Sequence, residues 1–243
     1  MGTVRRVTRI VLLHGFTQTG VSWRPVVERL GDDVEVAVPD LPGHGRASDQ
    51  RLDLAGTAAA VAATAGRAIY VGYSMGGRVA LRLALDHPDR VERLVLVGAT
   101  AGIDDPAERA ARREADEALA RRIEADGVEP FLAGWLAQPL FAGLTPAPDD
   151  LAARRANTAA GLAASLRLCG TGTMDPPWWD GLGGLAAPTT VVAGEHDARF
   201  RALGERLAGA IGGAARVEVI ASTGHACHLQ DPAAVARVIR ATP

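Results

Sequence analysis

The sequence contains no lysine: all 26 of its basic residues are arginine, and 28 acidic residues balance them. A net charge of −2 provides none of the basic excess of nucleic-acid-binding domains, so we expect no nucleic-acid partner. Cysteine is also scarce. Two cysteines, Cys169 and Cys227, do not make a disulfide framework in a chain of 243 residues, which favours a reducing, cytoplasmic location.

Long apolar runs are missing as well. No run approaches the roughly 18 residues of a membrane-spanning helix, so we expect no membrane association. The apolar residues 10–13 near the start are too few for a signal peptide. Neither a cluster of metal ligands nor a phosphate-binding loop is present, so we predict no metal and no cofactor. The length fits one domain with an insertion, as a monomer or small homo-oligomer.

Short apolar segments alternate with helical patterns through most of the chain. Because these segments are apolar on both faces, they predict a parallel sheet that helices cover on two sides, an α/β fold. The predicted strands are residues 7–13, 34–38, 68–71, 91–98, 189–193 and 216–220, and the predicted helices of this part are residues 21–30, 52–64, 77–87, 200–210 and 232–240.

The alternation stops near residue 100. Asp105-Pro106-Ala107-Glu108 combines a capping acid, a proline at the first helical position and a further acid, which predicts a helix start. Helical patterns continue to about residue 122 and over residues 128–136, 149–156 and 158–168, and no strand is predicted before residue 189. We interpret residues 101–187 as an all-helical lid inserted into a core that consists of residues 1–100 and 188–243.

The stretch Gly72-Tyr73-Ser74-Met75-Gly76 lies between a predicted strand and a predicted helix. A G-x-S-x-G sequence in this context is typical of a nucleophile elbow, a strained turn that exposes the serine hydroxyl above the sheet. Glycines flank the serine because the sharp turn leaves no room for a β-carbon on either side. Ser74 is therefore the candidate nucleophile or base.

A serine hydroxyl needs a histidine to take its proton and an acid to orient that histidine. Elbow enzymes place these groups in the chain order serine, acid, histidine, and Asp197 and His225 fit this order because each follows a predicted strand. Glu195, His196 and His228 lie close by and are interpreted as loop or supporting residues. The backbone N–H groups of Phe16 and Met75 are the candidate oxyanion hole.

These motifs resemble those of the α/β-hydrolase superfamily along the whole chain, and more narrowly the 2-succinyl-6-hydroxy-2,4-cyclohexadiene-1-carboxylate synthase family of menaquinone biosynthesis. The resemblance rests on residues 13–17, 72–78, 194–200 and 224–228, and on insertion residues 108–112, 131–135, 139–142, 155–157 and 161–166. The insertion carries the narrower resemblance, because lids diverge quickly between functions. The resemblance implies an α/β-hydrolase fold with a mostly parallel sheet.

Members of this family eliminate pyruvate from a cyclohexene that bears three carboxylates, with the triad serine acting as a base. Guanidinium groups bind carboxylates through paired hydrogen bonds, so a small anionic substrate calls for arginines around the serine. The resemblance implies that three arginines and two aromatic residues contact substrate: Arg78, Arg112, Arg155, Tyr73 and Trp135. Four further arginines leave the assignment open: Arg109, Arg113 and Arg154, which lie one to three places from Arg112 or Arg155, and Arg167, which lies further along the chain.

Two departures from the family pattern bear on the expected fold and substrate. Few residues precede the first strand, so the early antiparallel strands of the superfamily must be short or absent. Met174 stands where relatives commonly have glutamine.

The main alternative function is that of a hydrolase of the same fold that acts on a carboxylic ester, a lactone or a C–C bond. A third possibility is a non-catalytic binding protein, which an intact triad argues against.

Overall fold

A six-stranded sheet lies at the centre of the computed structural model, which describes residues 8–241. The strands are hydrogen-bonded in the order β2-β1-β3-β4-β5-β6, and every pairing between the described strands is parallel. Val7, the predicted start of the first strand, and any earlier strand fall outside the described residues. The strands are β1 (Thr8–Leu13), β2 (Val34–Ala37), β3 (Ala68–Tyr73), β4 (Val91–Val97), β5 (Thr189–Gly194) and β6 (Ala215–Ile220).

Ten α-helices connect and cover these strands within the described residues. The predicted helix over residues 21–30 is two elements, a 3₁₀ turn at Gly20–Trp23 followed by a short α-helix, and one helical turn after β6 was not predicted. The helices are α1 (Arg24–Leu30), α2 (Leu54–Ala65), α3 (Met75–Asp86), α4 (Pro106–Asp126), α5 (Val128–Leu136), α6 (Pro148–Arg155), α7 (Ala159–Cys169), α8 (Ala198–Ile211), α9 (Cys227–Gln230) and α10 (Pro232–Arg240).

The two faces of the sheet bury separate apolar clusters because side chains alternate along each strand. On β1, Val11 and Leu13 pack towards α2, α3 and α8, whereas Ile10 and Leu12 pack towards α1 and α10. Strands that are apolar on both faces are buried on both faces, as the pattern predicted. The predicted α/β fold, a parallel sheet with helices on both sides, is confirmed.

Between β4 and β5 the described chain forms helices and turns only, from α4 to α7. Three of these helices share an apolar cluster of their own, with Ile123 from α4, Phe131 from α5 and Leu162 from α7. Asp105 caps α4 by accepting hydrogen bonds from the N–H groups of Ala107 and Glu108, so this helix begins where the sequence indicated. The helices lie over the carboxyl ends of the strands, where the cavity opens.

No helix of the described chain is long and apolar enough to cross a membrane.

Candidate active site

Ser74 lies in a strained turn between β3 and α3. Its φ of 51° is unusual for a residue with a β-carbon, and its N–H donates to the carbonyl of Val97 over 2.8 Å, which ties the turn to β4. A β-carbon on Gly76 would lie 2.2 Å from the Leu13 carbonyl oxygen, and one on Gly72 would lie 2.2 Å from the Gly76 carbonyl oxygen. The glycines of the elbow are therefore required by the close approach of β1, β3 and α3.

Two backbone N–H groups flank the space above Ser74. Phe16 follows β1 and Met75 is the first residue of α3, and neither N–H donates to another described residue. Both residues line the same cavity as Ser74. Free N–H groups at a helix start and in a neighbouring loop have the arrangement that binds a developing oxyanion.

An acid and a histidine meet at the wall of the same cavity, where His225 is a lining residue. Asp197 follows β5 and caps α8, where its Oδ1 accepts from the Phe200 N–H over 3.2 Å. Its Oδ2 lies 2.7 Å from Nδ1 of His225, which follows β6. Both side chains are buried, so the carboxylate fixes the ring orientation and directs Nε2 away from itself.

Aromatic rings surround His225 and limit its access to water. The ring centroids of Phe200 and Tyr73 lie 4.3 Å and 5.2 Å from that of His225, and Phe141 lies 6.3 Å away. The Ser74 hydroxyl makes no hydrogen bond within residues 8–241, although Ser74 and His225 line one cavity. Catalytic hydrogen bonds are often long in unliganded enzymes and tighten when substrate binds.

The cavity above Ser74 has a volume of about 550 Å³, within the range of small-molecule sites. One wall comes from the loop after β1, the elbow, the first turn of α8 with Phe200 and the loop that carries His225. The opposite wall comes from α4, α5, α6 and α7. A bound ligand would therefore touch both parts of the chain.

Arg78 and Arg112 both line this cavity, as predicted from the motif match. Arg78 lies one turn after Ser74 on α3, and burial together with the nearby charge of Arg112 lowers its pKa to about 10. Its Nη2 donates to the Cys169 carbonyl over 2.7 Å, and its buried Nε has no partner within the described residues. Arg112 on α4 donates from Nε to Asp116 over 2.9 Å.

The third predicted arginine, Arg155, does not line the cavity. Its side chain is 51% exposed and its Nε lies 3.2 Å from Glu129 on the surface of the helical insertion. Arg154, one residue earlier on α6, lines the cavity instead, with only 1% of its side chain exposed. Successive residues of a helix point about 100° apart, so a shift of one position exchanges the inward and the outward side chain.

Trp135 and Tyr73, the two predicted aromatic residues, both line the cavity. The Trp135 ring stacks on Phe131 at 5.8 Å, and its buried Nε1–H has no partner within the described chain. Tyr73 packs on His228 with centroids 4.1 Å apart. Met174 is buried and does not line the cavity itself, but it packs beside Gly102, which does.

Sequence reasoning missed several polar residues of the cavity wall, among them Gln18 and Arg199. Gln18 accepts from the Gly15 N–H over 2.9 Å, and its Nε2 lies 3.2 Å from Nε2 of His228. Arg199 follows Asp197 by two residues at the start of α8. Their positions beside Phe16 and Asp197 are the signals that could have indicated them.

Among residues 8–241, no group of three or more histidine, cysteine or acidic side chains is placed to hold a metal ion.

The site combines a strained serine between a parallel strand and a helix with an acid and a histidine that follow later strands. This combination is typical of hydrolases with an alpha/beta fold. The chain belongs to the alpha/beta hydrolase family, whose family model matches residues 10–238.

Within that family, the chain is similar to two bacterial proteins that carry the same enzyme name. It is 35% identical to the 2-succinyl-6-hydroxy-2,4-cyclohexadiene-1-carboxylate synthase of Klebsiella pneumoniae over 241 residues, covering 93% of this chain and 90% of the relative. It is 31% identical to the putative enzyme of that name from Bacillus subtilis, covering 95% and 88% of the two chains. The resemblance indicated by the motifs is confirmed.

Solved structures of a MenH protein and of an esterase share the fold of this chain. The MenH protein of S. aureus superposes with a TM-score of 0.88 at 28% identity, covering 98% of this chain and 94% of that one. A thermophilic esterase from Thermogutta terrifontis superposes with a TM-score of 0.78 at 27% identity, covering 96% and 88%.

Proposed function

We propose that this protein is a lyase that eliminates pyruvate from 2-succinyl-5-enolpyruvyl-6-hydroxy-3-cyclohexene-1-carboxylate to give 2-succinyl-6-hydroxy-2,4-cyclohexadiene-1-carboxylate. The observation that carries the proposal is the convergence of three arginines, Arg78, Arg112 and Arg154, on the cavity that contains Ser74. The names of the relatives support the same activity. A cationic cavity suits a substrate with three carboxylates better than a neutral ester.

The proposed substrate contacts use donors that are not engaged within the protein. Arg154 Nη2, Arg78 Nε and Trp135 Nε1 are buried and have no partner among the described residues. A buried donor without a partner costs free energy, and a substrate carboxylate or carbonyl would satisfy it. Arg154 replaces Arg155 in this proposal, and Tyr73 contributes an apolar surface beside the reacting ring.

In the proposed mechanism, Ser74 removes the proton from ring carbon 2, next to the succinyl ketone, and passes its own proton to His225. Asp197 keeps the histidine oriented and stabilises its positive charge. The electron pair of the broken C–H bond forms the C2=C3 double bond, the ring double bond shifts from C3=C4 to C4=C5, and the C5–O bond breaks. The departing enolpyruvate takes up a proton and becomes pyruvate.

The oxyanion hole has a role in this reaction without any acyl-enzyme. Loss of the proton beside a ketone places negative charge on the ketone oxygen as the enolate develops. The N–H groups of Phe16 and Met75 are free to donate to that oxygen, and one such donor is typically worth on the order of a hundredfold or more in rate.

We further propose that residues 101–187 act as a lid over a core made of residues 1–100 and 188–243. The separate apolar cluster of α4, α5 and α7 supports this division, because it lets the helices hold together as one unit. A cytoplasmic location and a monomeric or small homo-oligomeric state stay predictions.

A serine hydrolase of the same fold is the second candidate function. The similarity to an esterase and the pairing of His225 with Asp197 favour it, because the same groups would activate Ser74 as a nucleophile.

Pyruvate release tests the proposal directly. The purified protein would be given the enolpyruvyl substrate, and pyruvate would be measured above the spontaneous breakdown of that substrate, with p-nitrophenyl acetate in parallel. Rapid release that Ser74→Ala abolishes, with weak ester hydrolysis, is the expected result. Rapid ester hydrolysis without pyruvate release would establish the hydrolase instead.

A further inference from the structure

Arg154 is held on two of its three nitrogens. Its Nε donates to Asp150 Oδ2 over 2.8 Å, one helical turn earlier on α6, and its Nη1 donates to the Thr17 hydroxyl over 3.0 Å. The third nitrogen, Nη2, is buried without a partner within the described residues. Arg154 lines the cavity, and Nη2 is the one nitrogen of this side chain that no residue of the described chain engages.

An arginine and a carboxylate that meet side-on normally form two parallel bonds, from Nε and a neighbouring Nη to the two carboxylate oxygens. Asp150 makes only the first of these bonds. Its other oxygen, Oδ1, accepts a short hydrogen bond from the Ser22 hydroxyl. Ser22 belongs to the 3₁₀ turn before α1 and is fully buried, so it cannot exchange this bond for one to water.

We propose that Ser22 and Asp150 are positioning residues that keep the Arg154 guanidinium available to a substrate carboxylate. Asp150 fixes the orientation of the guanidinium, and Ser22 holds Asp150 to a single bond, so that Nη2 is not taken by the protein's own acid. The inference rests on the proposed function for the identity of the anion. It concerns residues that the motif resemblance does not include.

The surroundings of the pair explain why both residues are needed. Asp150 and Arg154 have 4% and 1% of their side chains exposed, so neither charge is balanced by water. An arginine without an acid partner would be costly to bury, whereas an acid that engaged both faces of the fork would block the ligand. The hydrogen bond from Ser22 to Asp150 avoids both the unpaired buried arginine and the blocked ligand position.

Thr17 connects Arg154 and its partners to the candidate oxyanion hole. It follows Phe16, has a φ of 68° and accepts the bond from Arg154, while its carbonyl accepts from Asn157 Nδ2 over 2.8 Å. A β-branched residue in this conformation persists only where its surroundings hold it. The position of Arg154 and the position of the Phe16 N–H are therefore set by one connected set of contacts.

Ser22→Ala is the sharpest test, because it leaves the ion pair in place and frees Asp150 Oδ1 to take Nη2. For the enolpyruvyl substrate we expect KM to rise roughly tenfold, the usual effect of losing one hydrogen bond to a charged group, with a smaller change in kcat. Succinate, used as a probe in isothermal titration, should bind correspondingly more weakly. Asp149→Asn is the matched control, because Asp149 is the exposed neighbour that pairs with Arg24.

A pair of esters separates this inference from the proposed function. If the wild-type protein releases no pyruvate, the proposed function fails, but mono-p-nitrophenyl succinate and p-nitrophenyl acetate still report on Arg154. Ser22→Ala should raise KM for the anionic ester and leave the neutral ester unchanged. If Ser22 had a merely structural role, Ser22→Ala would lower the rates for both esters together or for neither ester.

Asp150→Asn supplies a second variant that tests the orientation of Arg154 itself. It should raise KM for anionic substrates more than Ser22→Ala does, and a thermal melt shows whether the fold is retained. In an Arg154→Met background, Ser22→Ala should have no further effect on KM. Equal succinate affinity and equal KM in the wild-type protein and Ser22→Ala, or an undiminished Ser22→Ala effect without Arg154, would overturn the inference.

Discussion

The wall of the cavity that the strand ends and α3 provide is held mainly by the backbone, whereas the wall that α4–α7 provide is held by ion pairs between side chains. Ser74, Phe16 and Met75 are placed by strands, a strained turn and a helix start. Arg112 and Arg154 are placed by acids one helical turn away. The first wall presents reactive groups that tolerate little change, and the second presents charges that single substitutions can alter.

This difference separates the reaction from the choice of substrate. Groups set by the backbone suit a proton transfer that demands accurate geometry. Arginines on a helical insertion can be exchanged without rebuilding the sheet, which suits a family whose members act on different substrates. Three substitutions and one change of pH test the two walls separately.

Removal of the serine hydroxyl should have the largest effect. Ser74→Ala should lower kcat by at least about a thousandfold, because it removes the group that we propose accepts the ring proton or attacks an ester. The affinity for succinate, measured by isothermal titration, should stay unchanged because the arginines are intact. Turnover at the wild-type rate would exclude the proposed mechanism.

Crowding the elbow should damage the core wall almost as much. Gly76→Ala would place a β-carbon 2.2 Å from the Leu13 carbonyl oxygen, and backbone on both sides leaves little room to relax. We expect a loss of about 3 kcal/mol or more in the free energy of unfolding, measured with urea. Gly209→Ala is the control, because a β-carbon there meets nothing within 4 Å on α8, and it should stabilise by about 0.5–1 kcal/mol.

A change in the insertion should act on binding alone. Arg112→Met should raise KM for the enolpyruvyl substrate about tenfold with kcat within about threefold of the wild type, because it removes one charged contact. Arg155→Met tests the same chemistry on the outer face, since Arg155 is also half-exposed and paired with an acid. Similar KM values for these two variants would contradict the assignment of the inward arginines.

Mild acid should weaken the core and not the insertion, because the six histidines all lie outside residues 101–187. Burial lowers the pKa of His14 to about 4 and that of His44 to about 3. The unfolded chain binds protons from about pH 6.5 downwards while the folded protein does not, so stability should fall as the pH drops from 6.5 to 4.

Urea unfolding at pH 7, 5.5 and 4.5 measures this loss, which amounts to about 1.4 kcal/mol for each pH unit that separates the two pKa values of one histidine. His14→Gln should flatten the profile, and His196→Gln, a change at an exposed loop residue, should leave it as it is. A flat wild-type profile over this range would contradict the expected role of the buried histidines.

The fold was predictable because its strands are apolar on both faces and its turns carry glycine and proline. Asp197 and His225 were placed together from the chain order and from their positions after β5 and β6, and the structure brings them to 2.7 Å. Parallel strands end at one edge of the sheet, so residues that follow them meet without any knowledge of side-chain packing.

The inward arginine of α6 could not be chosen from the motif match. Arg154 and Arg155 are adjacent and identical in type, and only the rotation of the helix decides which one faces the cavity. The pairing of Asp150 with Arg154 at a spacing of four residues was the available signal, because a buried ion pair occupies the inner face of a helix. The short helix α9 has too few residues to show a period.

The chain has a single asparagine, and this residue joins three distant segments. Asn157 accepts from the Gly45 N–H over 2.8 Å and donates to the Thr17 carbonyl, so its amide connects the helical insertion to both loops beside the sheet. Hydrolysis of this amide to a carboxylate would replace the donor by an oxygen that faces the Thr17 carbonyl. The deamidation of asparagine is thus confined to one side chain in this protein, and a single event there would loosen the loop that precedes Gln18.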